Sequence, residues 1–307
     1  LTDTDANVAI GYEALTNETT GHGSTAVGHN TLRNQNVAGG SLTYNVAVGY
    51  NAGKLLASAT LNTAVGALAL DAEVNGHRNT AIGYGALSDQ SSGTSTNSNN
   101  VGVGYHAGTG VTSGTQNVFV GAEAGDTTQA GVQNVCIGSG ADTSGASNAR
   151  EIVIGQGSGA GSNSVRFVTS GGSLSAAIDG STSTWTAASD ERLKKDIADS
   201  TVGLSFINAL RPVTFKWNAK NAIADSLPQY DADSSDPVYG VGKAHHGFIA
   251  QEVKAVIDSR SDIMDGHNIW VEDPDGTQEV GPGALIPMLV KAIQELSAEV
   301  DKLKSGG

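Results

Sequence analysis

The feature that most constrains this chain is a short repeat in its first half. An aliphatic residue followed by glycine recurs nine times, and the glycines are 17 residues apart except for two steps of 21. A fixed period of this kind is typical of solenoids, in which each repeat stacks on its neighbours and cannot fold alone. The glycines are Gly11, Gly28, Gly49, Gly66, Gly83, Gly104, Gly121, Gly138 and Gly155.

Each repeat contains a short alternating stretch such as Asn-Val-Ala-Ile-Gly, and most copies have an asparagine four residues before the glycine. Alternation is the strand signal, and so short a repeat cannot hold a strand plus a crossover helix. We therefore expect one coil of a β-solenoid per repeat, with coils about 4.8 Å apart and a rod of roughly 40 Å. The asparagines are expected to form hydrogen-bonded ladders between coils.

The composition changes sharply near residue 188. All six prolines lie after that point, whereas 31 of the 41 glycines lie before it. Charged residues number 17 in residues 1–188 and 31 in residues 189–307. The shift predicts a mostly β first part, with a solenoid shaft over residues 1–155 and a β stem over residues 156–188. An α+β domain is predicted over residues 189–307.

Charge and composition exclude several classes of protein. The formal charge is −14, which argues against a nucleic-acid groove, since such grooves need clustered Lys and Arg. No apolar run is long enough to span a membrane. The chain starts at Leu1 without Met, so we expect a fragment or a processed piece of a longer protein.

Metal and cofactor sites are not expected. The single cysteine, Cys136, excludes a cysteine-based zinc site and is interpreted as a small core residue. His245 and His246 are adjacent, and adjacent side chains do not share a strand face. Four other histidines, His22, His29, His77 and His106, fall in repeat segments and are interpreted as surface polar residues.

The second half has an ordinary α+β pattern. A helix is predicted from Ser189, which would be its N-cap, and another over 202–210, ending before Pro212. A strand is predicted over 213–217, a strand or turn running into a helix over 247–257, and an exposed excursion over 222–243. The C-terminal segment 284–304 is predicted to be a coiled-coil helix whose strand number the spacing leaves open. Its heptad positions are Leu289, Ile293, Leu296, Val300 and Leu303.

Three segments of this half resemble a known family. Ser189-Asp-Glu-Arg-Leu-Lys-Lys-Asp-Ile, Gly247-Phe-Ile-Ala-Gln-Glu-Val and Leu285–Leu296 look like the C-terminal intramolecular chaperone of phage tail fibres, tailspikes and endosialidases. The repeats of the first half resemble the heads of trimeric autotransporter adhesins and phage fibre shafts. The resemblance implies a homotrimeric domain that folds the β-rich part upstream and then cleaves itself off. It also implies a nucleophile at Ser189, a base at Lys194 and a scissile bond between Ala188 and Ser189.

The chemistry of this pair has a competing interpretation. A serine hydroxyl needs a base, and a lysine can serve as one only in its neutral form, which burial in a trimer would favour. The same residues also read as a helix N-cap and a surface lysine. Five residues along an ideal helix place two side chains about 140° apart, so a dyad needs Ser189 outside the helix, a bent turn or a lysine from another chain. Lys195 is the second candidate base.

These features predict a distal phage tail fibre segment that attaches to a host surface receptor. The expected location is the virion, and the chaperone part would assemble in the host cytoplasm. Other virion tail proteins would join through a preceding region. The predicted enzyme activity is a single-turnover serine peptidase reaction, with none in the rod.

Two alternatives remain open at this stage. A glycan-depolymerising tailspike would need a positioned pair of carboxylates, and residues 1–188 hold only twelve scattered acids. The other alternative is a bacterial trimeric adhesin stalk with a permanent trimerising cap. Receptor contacts are expected first in the four-residue insertions between Gly28 and Gly49 and between Gly83 and Gly104.

Overall fold

The computed structural model describes residues 6–91, 93, 96–180, 185–240, 242–263 and 268–306. It contains two compact units, residues 1–193 and residues 194–307. Parts of four predicted features lie outside the described residues, namely 1–5 in the shaft, 92, 94 and 95 in the second insertion, 181–184 in the stem and 241 in the excursion.

The first unit is the predicted β-solenoid. A twelve-stranded sheet takes its first ten strands in chain order, all parallel and in matching register from coil to coil. These strands are Val8–Ile10, Thr25–Val27, Val46–Val48, Thr63–Val65, Thr80–Ile82, Val101–Val103, Val118–Val120, Val135–Ile137, Glu151–Gly155 and Ser164–Thr169.

The parallel ladder ends in an antiparallel hairpin. Gly172–Ala177 pairs with the tenth strand, and Thr186–Ala187 pairs with Gly172–Ala177. Two further parallel pairs join neighbouring coils away from the main sheet. They are Gly76–His77 with Thr96–Asn97, and Ala141–Asp142 with Gly157–Ser158.

The central residue of most strands points into the coil and is small, although Phe119 occupies this position in Val118–Val120. Ala26, Ala47, Ala64 and Ala81 are all fully buried, and Cys136 occupies the same position farther along. Burial, together with Asp142 and Glu151, raises the pKa of the Cys136 thiol to about 12, so this cysteine is the expected inert core residue.

The repeat glycine is required by the close approach of neighbouring coils. Gly49 has φ of +134°, and a Cβ placed on it would lie 2.7 Å from the carbonyl oxygen of Gly66. Only glycine combines that backbone conformation with that contact. The aliphatic-glycine pair therefore marks the end of each strand, where the chain turns.

The expected asparagine ladder is present. The backbone N–H of Asn117 donates to Asn100 Oδ1 at 2.9 Å, and Asn134 repeats this contact on Asn117 at 2.9 Å. Asn100 Nδ2 donates to the carbonyl of Gly114 at 2.7 Å and to Gln90 Oε1 at 3.0 Å. Each asparagine thus satisfies buried backbone groups of its own coil and of the next.

Removing one ladder residue is expected to destabilise the solenoid. The change Asn100→Ala leaves several buried groups unpaired at about 1–3 kcal/mol each, so the free energy of unfolding should fall by about 2–5 kcal/mol. Chemical denaturation followed by circular dichroism measures this. Asn17→Ala, at an exposed asparagine, is the control and should change stability little. Equal effects of the two changes would contradict the role of the ladder.

A longer period of 55 residues overlies the repeat and was not predicted. It relates Glu18 to Glu73 and Gln35 to Gln90, all of them buried. Gln35 Nε2 donates to Glu18 Oε2 at 3.0 Å, and Gln90 Nε2 donates to Glu73 Oε2 at 2.8 Å. Gln35 lies in the first of the two longer coils and Gln90 in the second. Each Glu–Gln hydrogen bond therefore joins a longer coil to the coil before it.

The buried Glu18 makes the solenoid sensitive to acid. Burial by itself would raise the pKa of Glu18, but hydrogen bonds from Gly21, Gln35, Thr20 and Val37 outweigh it and hold this pKa below its ordinary value of 4.5. A carboxyl group of this kind contributes stability above its unfolded pKa, and that stability is lost as pH falls through the folded pKa.

We therefore expect the melting temperature to drop as the pH is lowered below about 4.5. Circular dichroism melts over a pH series measure this effect. Glu18→Gln should be less stable at neutral pH and should lose less stability on acidification. An unchanged pH dependence in this variant would contradict the role of Glu18.

The second unit is the predicted α+β domain. Its helices are α1 (Leu204–Ala209), α2 (Ala250–Asp258) and α3 (Ile286–Ser305), with short 3-10 helices at Lys220–Ala222 and Pro282–Leu285. Its antiparallel pairs are Val213–Phe215 with His245–Gly247, and Trp270–Glu272 with Gln278–Val280. The C-terminal helix was predicted over 284–304, and a 3-10 turn replaces its first residues because Pro287 belongs to the first turn of α3.

Candidate cleavage site and assembly surfaces

The predicted scissile bond lies in an exposed segment. It follows the last strand of the sheet, Thr186–Ala187, whose residue Thr186 pairs with Ser175. Every residue from 185 to 201 is exposed, including Ala188 and Ser189 on the two sides of the bond. The segment that would be cut is therefore reachable from solvent in the single chain.

The prediction of a helix that begins at Ser189 is wrong. Only a 3-10 turn forms, at Glu191–Leu193. The N–H of Arg192 donates to Asp190 Oδ1 at 2.9 Å at the start of this turn. Leu193 and Ile197 are 74% and 66% exposed. The apolar face whose packing would stabilise a helix is therefore open to solvent in the single chain.

Charge interactions shape this turn. Arg192 Nε donates to Asp190 Oδ1 at 3.0 Å. Hydrogen bonds from the Arg192 guanidinium lower the pKa of Asp190, and the Asp190 carboxylate in turn raises the pKa of Arg192. No α-helix begins at Ser189, and the 3-10 turn Glu191–Leu193 lies between Ser189 and Lys194 in the chain. Lys194 is exposed.

An exposed apolar stripe runs along the outer face of the solenoid sheet. It consists of the aliphatic residue before each repeat glycine, and the strand pairing places these residues directly beside one another. Six of the nine are at least 36% exposed, and Ile10 reaches 60%. The stripe comprises Ile10, Val27, Val48, Val65, Ile82, Val103, Val120, Ile137 and Ile154.

An aligned apolar stripe that is exposed in most coils is typical of an interaction surface. A soluble monomer rarely presents a contiguous apolar patch of more than a few hundred Å². Nine aligned side chains spaced by about 4.8 Å extend over nearly 40 Å of the sheet. The regular spacing of these Val and Ile residues is visible in the sequence. That their side chains point outward follows from the structure, because the central residue of most strands points inward.

Helix α3 has a second exposed apolar surface. Ala292 is the buried residue of this helix, and Glu295 accepts the backbone N–H of Leu204 at 2.8 Å. The predicted heptad seam lies elsewhere on the helix and is open to solvent. Its five residues, Leu289, Ile293, Leu296, Val300 and Leu303, are between 39% and 79% exposed.

Other candidate sites can be placed briefly. His245 stacks on Phe215 with ring centroids 5.6 Å apart, in the strand His245–Gly247. Within the described part of the chain, no group of three or more His, Cys, Asp or Glu side chains is placed to hold a metal ion. Among the helices that the structure describes, none is long and apolar enough to cross a bilayer.

One family model matches part of the second half. Residues 189–260 match the family model described as the chaperone of endosialidase, and the match begins at Ser189. The third motif, Leu285–Leu296, lies outside the matched residues. No curated protein and no solved structure matches the chain. A chaperone-of-endosialidase domain after a β-solenoid, as the sequence predicts, is thus confirmed, and the combination suggests a protein of the phage tail fibre or tailspike kind.

Proposed function

From a chaperone-of-endosialidase domain that begins at Ser189, we propose that this chain is the distal segment of a trimeric phage tail fibre that attaches to a host surface. In this proposal the C-terminal domain brings three chains together, guides the solenoids into their assembled state and then separates between Ala188 and Ser189. The observation that carries the proposal is the start of the matched family directly after the last strand of the solenoid sheet.

The trimer is supported by the two exposed apolar surfaces. Fully burying one Val or Ile side chain contributes about 1.5–3 kcal/mol, so a stripe of nine such residues favours association even when burial is partial. The α3 seam is only about two heptads long, and a seam this short associates weakly alone. Contact along both surfaces would make assembly of the second unit and of the solenoid cooperative.

The proposed cleavage follows from the position of the nucleophile. Ser189 comes directly after the scissile bond, so its Oγ attacks the carbonyl carbon of its own preceding peptide. The Ser189 nitrogen takes a proton and leaves as the amine, which produces an ester between Ala188 and Ser189 Oγ. Water then hydrolyses the ester and releases the Ala188 carboxylate together with a domain that starts at Ser189.

Lys194 is proposed as the base for this reaction. It accepts the hydroxyl proton of Ser189 and returns it to the leaving nitrogen, so the protons balance. A lysine does this only as the free amine, and burial favours the free amine because it disfavours the charged form. Lys194 is exposed in the single chain, so burial of this segment in the trimer would couple cleavage to correct assembly.

The proposal is tested by the mass of the freshly purified protein in native and denaturing conditions. We expect a native complex of three solenoid segments and, after denaturation, pieces of residues 1–188 and 189–307. A folded protein that is monomeric and intact would overturn the proposal. A trimeric but intact protein would refute self-cleavage and favour the permanent cap of a bacterial adhesin stalk.

A further inference from the structure

A column of aromatic rings runs along the solenoid at the position that follows each repeat glycine. At this position the carbonyl of one coil accepts the N–H of the following residue in the next coil, as in Leu68 to Tyr50 at 2.9 Å and Gly85 to Ala67 at 3.0 Å. Successive members therefore lie one coil apart. In chain order this position holds Tyr12, His29, Tyr50, Ala67, Tyr84, Tyr105, Ala122, Ser139 and Gln156.

The rings stack on both sides of a single gap. His29 lies 5.1 Å from Tyr12 and 5.3 Å from Tyr50, with planes 20° and 18° apart. Beyond the gap, Tyr84 lies 5.7 Å from Tyr105 with planes 13° apart. Ala67 interrupts the column, so Tyr50 and Tyr84 each have one face stacked and one face turned toward the gap.

The gap has room for one flat ring. Tyr50 and Tyr84 are two coils apart, which corresponds to roughly 9.6 Å. A ring midway would lie about 4.8 Å from each wall, within the range at which aromatic rings stack. The two walls are 54% and 47% exposed, and Ala67 between them is half-buried. The gap is therefore an open slot with aromatic walls and an alanine floor.

A polar group lies next to the slot. Asn30 Nδ2 donates to Asn51 Oδ1 at 3.1 Å, in the ladder beside the aromatic column. The position that follows Asn51 in this ladder is Leu68, which offers no acceptor. Asn51 Nδ2 makes no hydrogen bond to another described residue, so a donor adjoins the Tyr50 wall.

We propose that the slot between Tyr50 and Tyr84 binds one pyranose ring of a host surface glycan. This proposal rests on the proposed attachment to a host surface. It adds the class of ligand that is bound and the position on the solenoid where it binds. A pyranose combines apolar C–H faces with a rim of hydroxyl groups, which matches two aromatic walls beside an amide donor.

The interruption argues for a discrete ligand instead of a second chain. Contacts between chains of a symmetric solenoid repeat from coil to coil, as the apolar stripe does in all nine coils. The slot interrupts the aromatic column at a single coil, between a stack of three rings and a stack of two. A ligand of one ring fits this geometry, and a contact that repeats along the solenoid does not.

Filling the slot tests the proposal with the intact chain. The change Ala67→Tyr places a ring between Tyr50 and Tyr84, and Ala122→Tyr is its matched control, since it adds the same ring beyond Tyr105. Saturation-transfer NMR would use the methyl pyranosides of glucose, galactose, mannose and N-acetylglucosamine as probes. We expect ring C–H signals for at least one probe in wild type and in Ala122→Tyr, and none in Ala67→Tyr.

A second experiment removes one of the two aromatic walls, so it does not depend on inserting an extra ring. Tyr50→Ala and Tyr84→Ala should each weaken binding about three- to tenfold, whereas Tyr12→Ala, at the far end of the column, should not. Absence of signal in wild type for all four probes, or an unchanged signal in Ala67→Tyr, would overturn the proposal. So would dissociation of the trimer in Ala67→Tyr alone, because a partner chain would then occupy the slot.

The same samples separate this proposal from the proposed function. Native mass and cleavage are read beside the sugar signal. If a variant loses the sugar signal but still trimerises and cleaves, the result tests the slot alone. If the wild type fails to trimerise or cleave, the result contradicts the proposed role of the chaperone domain. A wild type that trimerises and cleaves but binds none of the probes refutes the slot alone.

Discussion

Replacing Ser189 by alanine is expected to leave the purified chain intact at 307 residues, whereas the wild type separates into residues 1–188 and 189–307. Alanine removes the hydroxyl that forms the ester, and no other group in the described segment is placed directly after the scissile bond. We expect cleavage to fall below detection, since loss of a nucleophile typically costs about a million-fold in rate. Intact mass under denaturing conditions measures the result.

The adjacent lysines provide a charge-matched control. Lys194→Ala and Lys195→Ala remove the same charge from neighbouring exposed positions. If Lys194 is the base, its loss should block cleavage and Lys195→Ala should leave cleavage close to that of the wild type. The reverse pattern would assign the base to Lys195. Normal cleavage in Ser189→Ala would remove Ser189 from the reaction.

An aspartate within the apolar stripe is expected to dissociate the trimer. Ile137 is 40% exposed in the single chain and lies in the middle of three consecutive aliphatic positions, Val120, Ile137 and Ile154. In a trimer that buries the stripe, Ile137→Asp would place three carboxylates in an apolar interface. Burying an unpaired charge costs several kcal/mol, so we expect the native mass to shift from trimer to monomer. Native mass spectrometry or analytical ultracentrifugation measures this.

A control from the same coil distinguishes the stripe from the exposed surface in general. Gln133 is exposed and lies off the stripe, and its positive φ of 60° suits aspartate. Gln133→Asp should remain trimeric. If Ile137→Asp also stays trimeric with an unchanged melting temperature, the stripe is not the interface. If it becomes monomeric and no longer cleaves, assembly and cleavage are coupled as proposed.

The repeated part of the chain was the most predictable. The 17-residue spacing and the alternating stretches predicted the coils of a solenoid, the asparagines predicted a ladder, and both are present. Repeats are predictable because each coil meets the same neighbours, so one local pattern is tested nine times. The buried Glu–Gln pairs escaped prediction because their 55-residue period is seen only once beyond its first copy.

The segment around the proposed cleavage site was less predictable. The residues after Ser189 have a capping residue, acids and amphipathic spacing, yet the chain forms only the turn Glu191–Leu193. Short helices depend on packing of an apolar face, and the sequence does not say whether that packing comes from the same chain. Leu193 and Ile197 are exposed, so local propensity alone did not form the helix.

By itself the sequence determined the solenoid, the change of composition near residue 188 and the match of residues 189–260 to the chaperone of endosialidase, because each depends on local periodicity or on residues close in sequence. The tertiary structure alone decided which side chains of a coil face outward together. The register between coils aligns Val and Ile residues that are separate in the sequence into one stripe. It also places Ala67 between Tyr50 and Tyr84, which leaves a slot between the two rings. Such surfaces arise from residues far apart in the chain, and only the stacking of coils brings them side by side.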